Sequence, residues 1–471
     1  MSPDSILLLR FEWMISLIIF ILLVLKLNDA DKNVSTFLNI INILLAVNFL
    51  AGFLPIGAGS LFSGFFRTSD LIVLQKNILN LGLMLISLTS YTYLSNQKNR
   101  IEFYILLLSS MLGVYVMISS GHILMLYLGL EMSTIPIAAL ANFNKSMKNS
   151  SEAGIKLILS SAFSTGIMLF GISLLYGAVG NLGFEHIIAN LHPTPLTLFA
   201  FSFILGGFAF KMSIVPFHLW TADVYEGSPI GVTNFLSVIS KGSVIFIFIT
   251  VLYTVFGGLK EAWLYALTIV GVLSMTIGNL FTLRQDNIKR LLAFSSITQV
   301  GFVLVGIAGA SKAGNTSAIY FVLIYILSNV AAFGVAGAIF DSTGKESLNA
   351  GYKGLYKSNP FYALILAMAL FSLAGVPPTA GFFGKLFLLT AGMGNGMYVL
   401  LGVAAINLVV SLYNYLRVVK IMFIDEAETE LPVIGRNLTL TIALIICVIG
   451  ILAIGFITPL YQYIDSLSFG M

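Results

Sequence analysis

Four charged residues lie within apolar stretches that are long enough to cross a bilayer as helices: Glu131, Lys211, Lys241 and Lys385. A charge at the centre of a bilayer costs roughly 2.5–3.5 kcal/mol on insertion scales, so such residues are rare without a use. Burial disfavours the charged form of a lysine, whereas a nearby carboxylate favours it. Because a lysine under both influences can take up and release a proton, the sequence predicts proton transfer along these side chains.

A structural ion pair between helices is the alternative role for these charges. One lysine could pair with Glu131, but the predicted spans contain no second clear acid. The other two lysines would then have no acidic partner and would have to be hydrated, or neutral part of the time. We therefore favour proton handling over purely structural pairing.

Prolines accompany two of the lysines. Lys211 stands five residues before Pro216, and Lys385 follows Pro377 and Pro378. Proline removes a helical hydrogen bond and clashes with the preceding turn. In lipid, the freed backbone groups need partners from protein or water, and broken helices at mid-membrane are typical of transport sites. The sequence predicts that these two spans are broken.

Other polar residues could hold water between the charges. Ser240 precedes Lys241, and Gln299 lies in a further apolar span. His218 follows Pro216 and could pass a proton near neutral pH. A structural hydrogen bond is an equally good role for this histidine, and most small hydroxyl residues in membrane helices pack against neighbours.

The composition identifies the class of protein. Of the 471 residues, 58% are hydrophobic and 9% are charged, against about 25% charged in soluble domains. The alternating pattern of an outer-membrane barrel is absent, so we expect an all-α polytopic membrane protein. The single cysteine forbids an internal disulfide, and the four histidines are scattered. We expect no metal or other cofactor in this chain and no nucleic-acid partner.

The apolar runs predict about fourteen spans in one integral membrane domain. The corresponding position of the two broken spans, 7 and 12, suggests two inverted five-helix repeats. We predict three N-terminal helices in 1–100, repeats in 101–256 and 262–421, and a last helix in 438–464. The predicted spans are 8–26, 36–56, 71–94, 102–119, 122–142, 154–179, 196–219, 229–256, 262–283, 290–310, 316–340, 360–389, 395–421 and 438–464.

Basic residues indicate the orientation. The loops after odd-numbered spans carry most of the lysines and arginines, which places those loops in the cytoplasm and both termini outside. Once the loop residues are assigned, Lys211, Lys241 and Lys385 are the three that remain within spans. The residues assigned to the outer side are Arg10, Arg67, Lys76, Lys260 and Lys312.

Three long motifs resemble the proton-translocating, antiporter-like membrane subunits of respiratory complex I. They are FKMSIVPFHLWTADVYEGSPIGVTNFLSVISKGS from Phe210, RQDNIKRLLAFSSITQVGF from Arg284 and LAGVPPTAGFFGKLFLL from Leu373. With the fourteen-span layout, the resemblance covers essentially the whole chain. Within this superfamily the chain is most similar to N-type subunits of NADH–quinone oxidoreductase, because M-type subunits typically have Glu at position 385 and L-type subunits have a long lateral helix.

The resemblance assigns the family's proton-carrying glutamate to Glu131 and its lysines to Lys211, Lys241 and Lys385. Some relatives have His where this chain has Gln299, and an amide cannot relay a proton by protonation, so water would have to bridge there. The implied mechanism is that quinone chemistry opens or closes the Glu131–Lys211 pair. A proton then moves through Lys241 to Lys385, which releases it outward.

The resemblance also implies the setting. We expect a bacterial inner-membrane protein, in a hetero-oligomer with other membrane-arm subunits, whose soluble partners hold flavin and iron–sulfur clusters and use NADH and quinone. The alternative is a subunit of a multi-subunit cation/proton antiporter or membrane-bound hydrogenase, which would share every charge named above. A third possibility is a scaffold subunit that moves no protons.

Overall fold

The structure is a computed structural model that describes residues 7–27, 33–55, 57–145, 147–426 and 431–471. These residues are almost entirely helical, which confirms the predicted all-α class. One short antiparallel hairpin pairs β1 (Gly59–Leu61) with β2 (Phe66–Thr68).

The helices follow one another with short connections. In chain order they are α1 (Arg10–Leu27), α2 (Val34–Ala51), α3 (Asp70–Thr89), α4 (Tyr91–Ser95), α5 (Arg100–Ile118), α6 (Ile123–Ala141), α7 (Lys148–Val179), α8 (Phe184–Asn190), α9 (Pro195–Met212), α10 (Trp220–Gly227), α11 (Ile230–Val255), α12 (Lys260–Leu283), α13 (Ile288–Ala308), α14 (Lys312–Thr343), α15 (Leu348–Gly351), α16 (Leu355–Ser358), α17 (Pro360–Ala374), α18 (Ala380–Gly392), α19 (Tyr398–Phe423), α20 (Leu438–Ala453) and α21 (Thr458–Leu467).

Twelve helices in the described part of the chain are long and apolar enough to cross a membrane, or thirteen if the pair formed by 348–358 and α17, bent by 116°, counts as one. Helix α1 has 18 residues but carries Arg10, Glu12 and Lys26. Predicted span 12 corresponds to α17 together with the shorter α18. The expected number of about fourteen spans is reached only if α1 and this broken pair are both included.

Local sequence explains where these helices begin. Helix α9 starts with Pro195 in its first turn, after a capping box in which Thr194 and Thr197 satisfy each other's backbone amides. The Ser69 side chain accepts from a backbone amide in the first turn of α3. In lipid such caps matter more than in water, because no solvent is available to the free amides.

Helices α13 and α14 form the centre of the bundle. Their membrane-length windows are completely buried, and that of α11 is 89% buried. Helices α2, α12 and α19 instead expose large apolar side chains such as Leu50, Tyr265 and Val409, as expected of helices that face lipid. The central helices therefore provide the protein-lined region in which buried charges can be held.

Two helices end in mid-bundle, as predicted. Helix α9 stops before Ser213, which has a left-handed backbone (φ 60°), and α17 stops before Gly375 (φ 84°). A left-handed residue of this kind is a common way to end a helix. Prolines follow within three residues in both places, and new helices begin at Trp220 and Ala380. The relation of the two breaks as inverted repeats stays a prediction.

Helix α11 is not uniformly α-helical. Residues Leu236–Ser240 and Val251–Val255 form π-helical turns within it. The first of these turns ends immediately before Lys241. Such turns commonly occur at functional sites, and this one sets the direction in which the lysine leaves the helix.

Candidate functional site

Lys211 lies in the last turn of α9 and is 7% exposed. Its ammonium donates to the hydroxyl of Thr134 on α6, and Thr134 in turn donates to the Leu130 carbonyl at 2.6 Å. Glu131 lies on α6 three residues before Thr134. No ion pair within 4.0 Å joins Glu131 to Lys211 in the described residues. Lys211 is therefore held against α6 by a hydroxyl group, one turn from the carboxylate.

The break after α9 is stabilised by side chains from other segments. The Trp220 indole donates to the Phe210 carbonyl at 3.2 Å, and the backbone amide of Val215 donates to the Ser274 hydroxyl at 3.0 Å. Pro216 and His218 both lie in this connecting segment. His218 is 7% exposed, and its Nδ1 has no hydrogen-bond partner among the described residues. Pro216 and His218 therefore lie in the break that follows Lys211, and a proton-relay role for His218 stays a prediction.

Lys241 is the most deeply buried of the three predicted lysines, with 1% exposure. It donates to the Ser296 hydroxyl of α13 at 2.5 Å and lies 5.4 Å from the centre of the Tyr225 ring. The hydroxyl groups of Ser237 and Tyr325 are 3.1 Å apart in the same region of α11 and α14. Ser240, predicted to support Lys241, is only half-buried, and its carbonyl accepts from Ser243.

Lys385 occupies the break between α17 and α18. Its ammonium donates to the carbonyls of Leu373 at 2.6 Å and Ala374 at 3.2 Å, and it lies 4.6 Å from the centre of the Phe302 ring. Those carbonyls belong to the last turn of α17, where a helix leaves its carbonyls without backbone partners. A break that contains Pro377 and Pro378 therefore creates acceptors, and Lys385 satisfies two of them.

Gln299 connects the two lysine environments. Its amide donates to the same Leu373 carbonyl at 2.8 Å and to the Tyr415 hydroxyl at 2.9 Å. Gln299 and Ser296 lie three residues apart on α13, so they are neighbours on one helical face. A single buried helix thus contacts Lys241 through Ser296 and shares a carbonyl with Lys385 through Gln299.

An apolar cavity of about 340 Å³ lies beside Lys385, between α18, α19 and the end of α17. Its lining is almost entirely apolar and includes Val376, Pro377, Leu389 and Leu412. The ammonium end of Lys385 is hydrogen-bonded to carbonyls, whereas part of its side chain borders this cavity. Space is therefore available beside the lysine for a larger head group.

Ionic contacts anchor α10, the short helix after the first break. Nη1 of Arg290 lies 2.7 Å from both Asp223 Oδ1 and Glu226 Oε2, and Lys156 Nζ lies 2.6 Å from Asp223 Oδ2. Partial burial raises the pKa of Asp223, but hydrogen bonds from Lys156 and Arg290 outweigh burial and hold that pKa below its usual range. The contacts join α10 to α7 and α13.

One basic residue was assigned wrongly from the sequence. Lys76, counted with the outer loops, lies seven positions into α3 and is 1% exposed. It pairs with Glu12 of α1, so Glu131 is not the only acid within the helical bundle. The spacing of Lys76 and Asn80, four residues apart on a capped helix, was the signal that could have revealed a buried polar face.

The three lysines Lys211, Lys241 and Lys385 share one property. In the part of the chain that the structure describes, each donates to neutral hydroxyl or carbonyl oxygens and none forms an ion pair within 4.0 Å. Hydroxyl and carbonyl oxygens accept from an ammonium group without holding it charged as strongly as a carboxylate does. This arrangement suits reversible protonation.

The described residues contain no group of three or more His, Cys, Asp or Glu that could hold a metal ion. Gln299 was among the polar candidates of the sequence, but Tyr225 and Tyr415 were not. Their aromatic character made them indistinguishable from packing residues.

A family described as NADH:quinone oxidoreductase/Mrp antiporter, TM matches residues 120–411. The NADH-quinone oxidoreductase subunit N of Azobacteroides pseudotrichonymphae genomovar. CFP2 is 45% identical over 417 residues, which are 88% of this chain and 87% of that one.

Solved structures are also similar. A chain of respiratory complex I from Thermus thermophilus with bound aureothin is 26% identical with a TM-score of 0.81, covering 98% of this chain and all of that one. A chain of the Mrp complex from Dietzia sp. DQ12-45-1b has a TM-score of 0.87 and 20% identity, covering 99% of this chain and 97% of that one. The second likeness concerns the fold alone.

Proposed function

Because the chain belongs to the NADH:quinone oxidoreductase and Mrp antiporter transmembrane family, and within it is similar to subunit N proteins, we propose that it is the proton-translocating membrane-arm subunit of an NADH–quinone oxidoreductase. It is a subunit of a translocase and works with the other membrane-arm subunits in a bacterial inner membrane. In the orientation that we propose from its basic residues, both termini lie outside.

The observation that supports this proposal is that one helix, α13, contacts Lys241 and also the carbonyl to which Lys385 donates. Ser296 accepts from the first lysine, and Gln299 shares the Leu373 carbonyl with the second. Both residues lie in the membrane-length window of α13, which is completely buried. A scaffold would not need a line of buried donors and acceptors at this depth, since small packing residues stabilise helix contacts equally well.

We assign the proton steps to the chain's own side chains. When Lys211 contacts Thr134, its charged form is weakly supported, whereas contact with Glu131, one turn away on α6, would favour the charged form. Movement of Lys211 between these two acceptors would bind and release a proton. The proton would then pass by water to Lys241 and along α13 to Lys385, which we propose as the carrier on the exit side.

In this route, water must carry the proton past Gln299. Its amide does not take up a proton near neutral pH, so it can orient water but cannot carry the charge itself. The hydroxyl of Tyr415, 2.9 Å from Gln299 and 2.5 Å from Ser295, extends the polar line. His218 lies in the break that follows Lys211, and we propose it as a second relay.

The redox chemistry is assigned to partners. We propose that flavin, iron–sulfur clusters and the NADH and quinone sites of the complex are held by other subunits, and that this chain contributes only proton movement. Copurification with subunits that carry flavin and iron–sulfur clusters is the direct test of that setting.

The test of the function itself uses Lys211→Met in the intact complex, reconstituted in sealed vesicles. We expect fewer protons moved per NADH oxidised than in the wild type. Lys312→Met, at an exposed lysine, is the control and should leave the ratio unchanged. A Lys211→Met complex that assembles and moves protons at the wild-type ratio would refute the proposal.

A cation/proton antiporter subunit is the second candidate, because the Mrp complex chain has the same fold. Sodium-dependent proton movement in the absence of NADH would favour it. Strict dependence of proton movement on NADH oxidation, with no response to sodium, would favour the oxidoreductase.

A further inference from the structure

A second buried charged site lies in the N-terminal helices, away from the four charges of the proposed route. Lys76 is about 9 Å from the start of α3, at 1.5 Å per residue. Its ammonium contacts Glu12, the third residue of α1. The lysine side chain is 2% exposed and that of the glutamate is 12% exposed. The acid is therefore the member of the pair that is closer to the exterior.

Aromatic rings enclose the lysine on its other sides. The ammonium lies 5.1 Å from the ring centre of Phe66, 5.4 Å from that of Tyr115 and 5.9 Å from that of Phe11. Phe66 belongs to strand β2, so the hairpin covers the pair. Ring faces stabilise a cation, but they cannot accept a proton. Glu12 is thus the acceptor available to Lys76.

The pair lacks the full set of hydrogen bonds expected of a structural ion pair. The second carboxylate oxygen of Glu12 is buried and has no hydrogen-bond partner among the described residues. A buried pair contributes to stability only when its remaining lone pairs are also satisfied, and well-packed apolar residues are often as good or better. As a purely structural contact between α1 and α3, the pair would therefore cost stability rather than add to it.

A hydrogen-bonded cluster with unused donors and acceptors lies next to the pair. Tyr115 donates to Asn80 Oδ1, and Asn48 Nδ2 donates to the same oxygen at 2.9 Å. Asn48 Oδ1 and Asn80 Nδ2 have no partner among the described residues, although both side chains are about 99% buried. Buried polar atoms of this kind are normally satisfied by ordered water.

The cluster is closed toward the other side of the bundle. A second polar group on the same helices, Asn42, Ser87 and Tyr104, begins about 9 Å further along α2. Between the two groups lie Leu45 and Leu83, with 1% and 0% exposure. This apolar layer prevents a continuous polar route, so the site can exchange protons only with the side on which α1 begins.

Helix α3 also packs against α11, the helix that carries Lys241. A Cβ atom placed on Gly242 would lie 3.3 Å from Leu79 Cδ2. Leu79 is three residues from Lys76, so the two are neighbours on one face of α3, and this face approaches α11 near Lys241. A charge change at one lysine can therefore act electrostatically on the other without a shared route.

We propose that Glu12 and Lys76 form a proton-binding site that exchanges with the outer side of the membrane, separate from the route through Lys211, Lys241 and Lys385. The other titratable groups that face it are Arg10 of α1 and Tyr115 of α5. Arg10 donates to the carbonyls of Leu54 at 2.6 Å and Gly52 at 3.2 Å, at the end of α2. It is thus committed to capping that helix.

The first test is chemical and uses the wild-type complex in membranes. Dicyclohexylcarbodiimide, an apolar reagent, modifies protonated carboxyl groups within membranes. We expect Glu12 to be labelled in the range from pH 8 to pH 5.5, as measured by mass spectrometry of the N-terminal peptide. Labelling of Glu131 serves as the internal control for reagent access. Glu131 labelling without any Glu12 labelling across this range would overturn the proposal.

The second test separates proton binding from packing. Glu12→Gln with Lys76→Met removes both charges but keeps the side-chain volumes, so a purely structural pair should tolerate it. We expect this double variant to move fewer protons per NADH oxidised. Lys312→Met with Asp465→Asn removes an exposed pair, 3.1 Å apart, and should have no effect. A wild-type ratio in the Glu12/Lys76 double variant would overturn the proposal, even if Lys211→Met lowers the ratio.

Discussion

Lys385 has two separable tasks in this structure, and two substitutions distinguish them. The side chain donates to two carbonyls at the end of α17, which stabilises the break. In the proposed route it also binds and releases a proton. Lys385→Arg keeps a donor in place but removes proton exchange, because a guanidinium stays charged at any accessible pH. Lys385→Met removes both.

The geometry gives the expected sizes of these effects. In Lys385→Met, the Leu373 carbonyl keeps its hydrogen bond from Gln299, whereas the Ala374 carbonyl loses its side-chain donor. One buried carbonyl without a partner costs about 1–3 kcal/mol. In Lys385→Arg, the adjacent cavity of about 340 Å³ accommodates the larger head group. We therefore expect a smaller loss of stability than in Lys385→Met.

Two measurements on the purified complex test this reasoning. Thermal unfolding should show a lower midpoint for Lys385→Met and a nearly unchanged midpoint for Lys385→Arg. In sealed vesicles, both variants should move fewer protons per NADH oxidised. A Lys385→Arg complex with the wild-type ratio would refute proton exchange at this position, and equal stability of the Met variant would refute the capping role.

Two further predictions concern stability. Because the pKa of Asp223 is lowered in the folded state, its contribution to the free energy of unfolding is present above the unfolded pKa of about 3.9 and is lost as the pH falls through the folded value. The unfolding midpoints of detergent-solubilised wild type and Asp223→Asn should therefore differ at pH 5–7 and converge below about pH 4. A difference that does not depend on pH would contradict this. Gly381→Ala would place its Cβ 1.8 Å from the Ser372 carbonyl, whereas nothing lies within 4 Å of a Cβ at Gly402. Gly381→Ala should therefore destabilise the protein by about 1–3 kcal/mol, and Gly402→Ala should stabilise it by roughly 0.5–1 kcal/mol. Similar unfolding midpoints for the two variants would show that α17 and α18 move apart freely.

The sequence predicted the helical class and the two broken spans because both depend on local rules. Long apolar runs have one stable solution in a bilayer, and proline near a mid-membrane charge limits the backbone to a break. The breaks at Ser213 and Gly375 lie within a few residues of the prolines from which they were predicted. The positions of Lys211, Lys241 and Lys385 inside the bundle followed from the same pattern.

The partners of these lysines could not be predicted, because they depend on contacts between helices far apart in sequence. Thr134 and Ser296 are 77 and 55 residues from the lysines that they contact. The assignment of Lys76 to a loop failed for a related reason. A lysine near the start of a span looks solvated unless Glu12, 64 residues earlier, is known to lie beside it.

The break in α17 shows why a membrane protein places prolines and a lysine together. A helix that ends in mid-bundle leaves carbonyls that lipid cannot satisfy. Lys385 supplies the donors, so the lysine stabilises the break that makes its own burial tolerable. Because its acceptors are neutral, the ammonium is not held there by a carboxylate. Structural support and reversible protonation are compatible at this position, whereas a Glu partner would favour the first at the expense of the second.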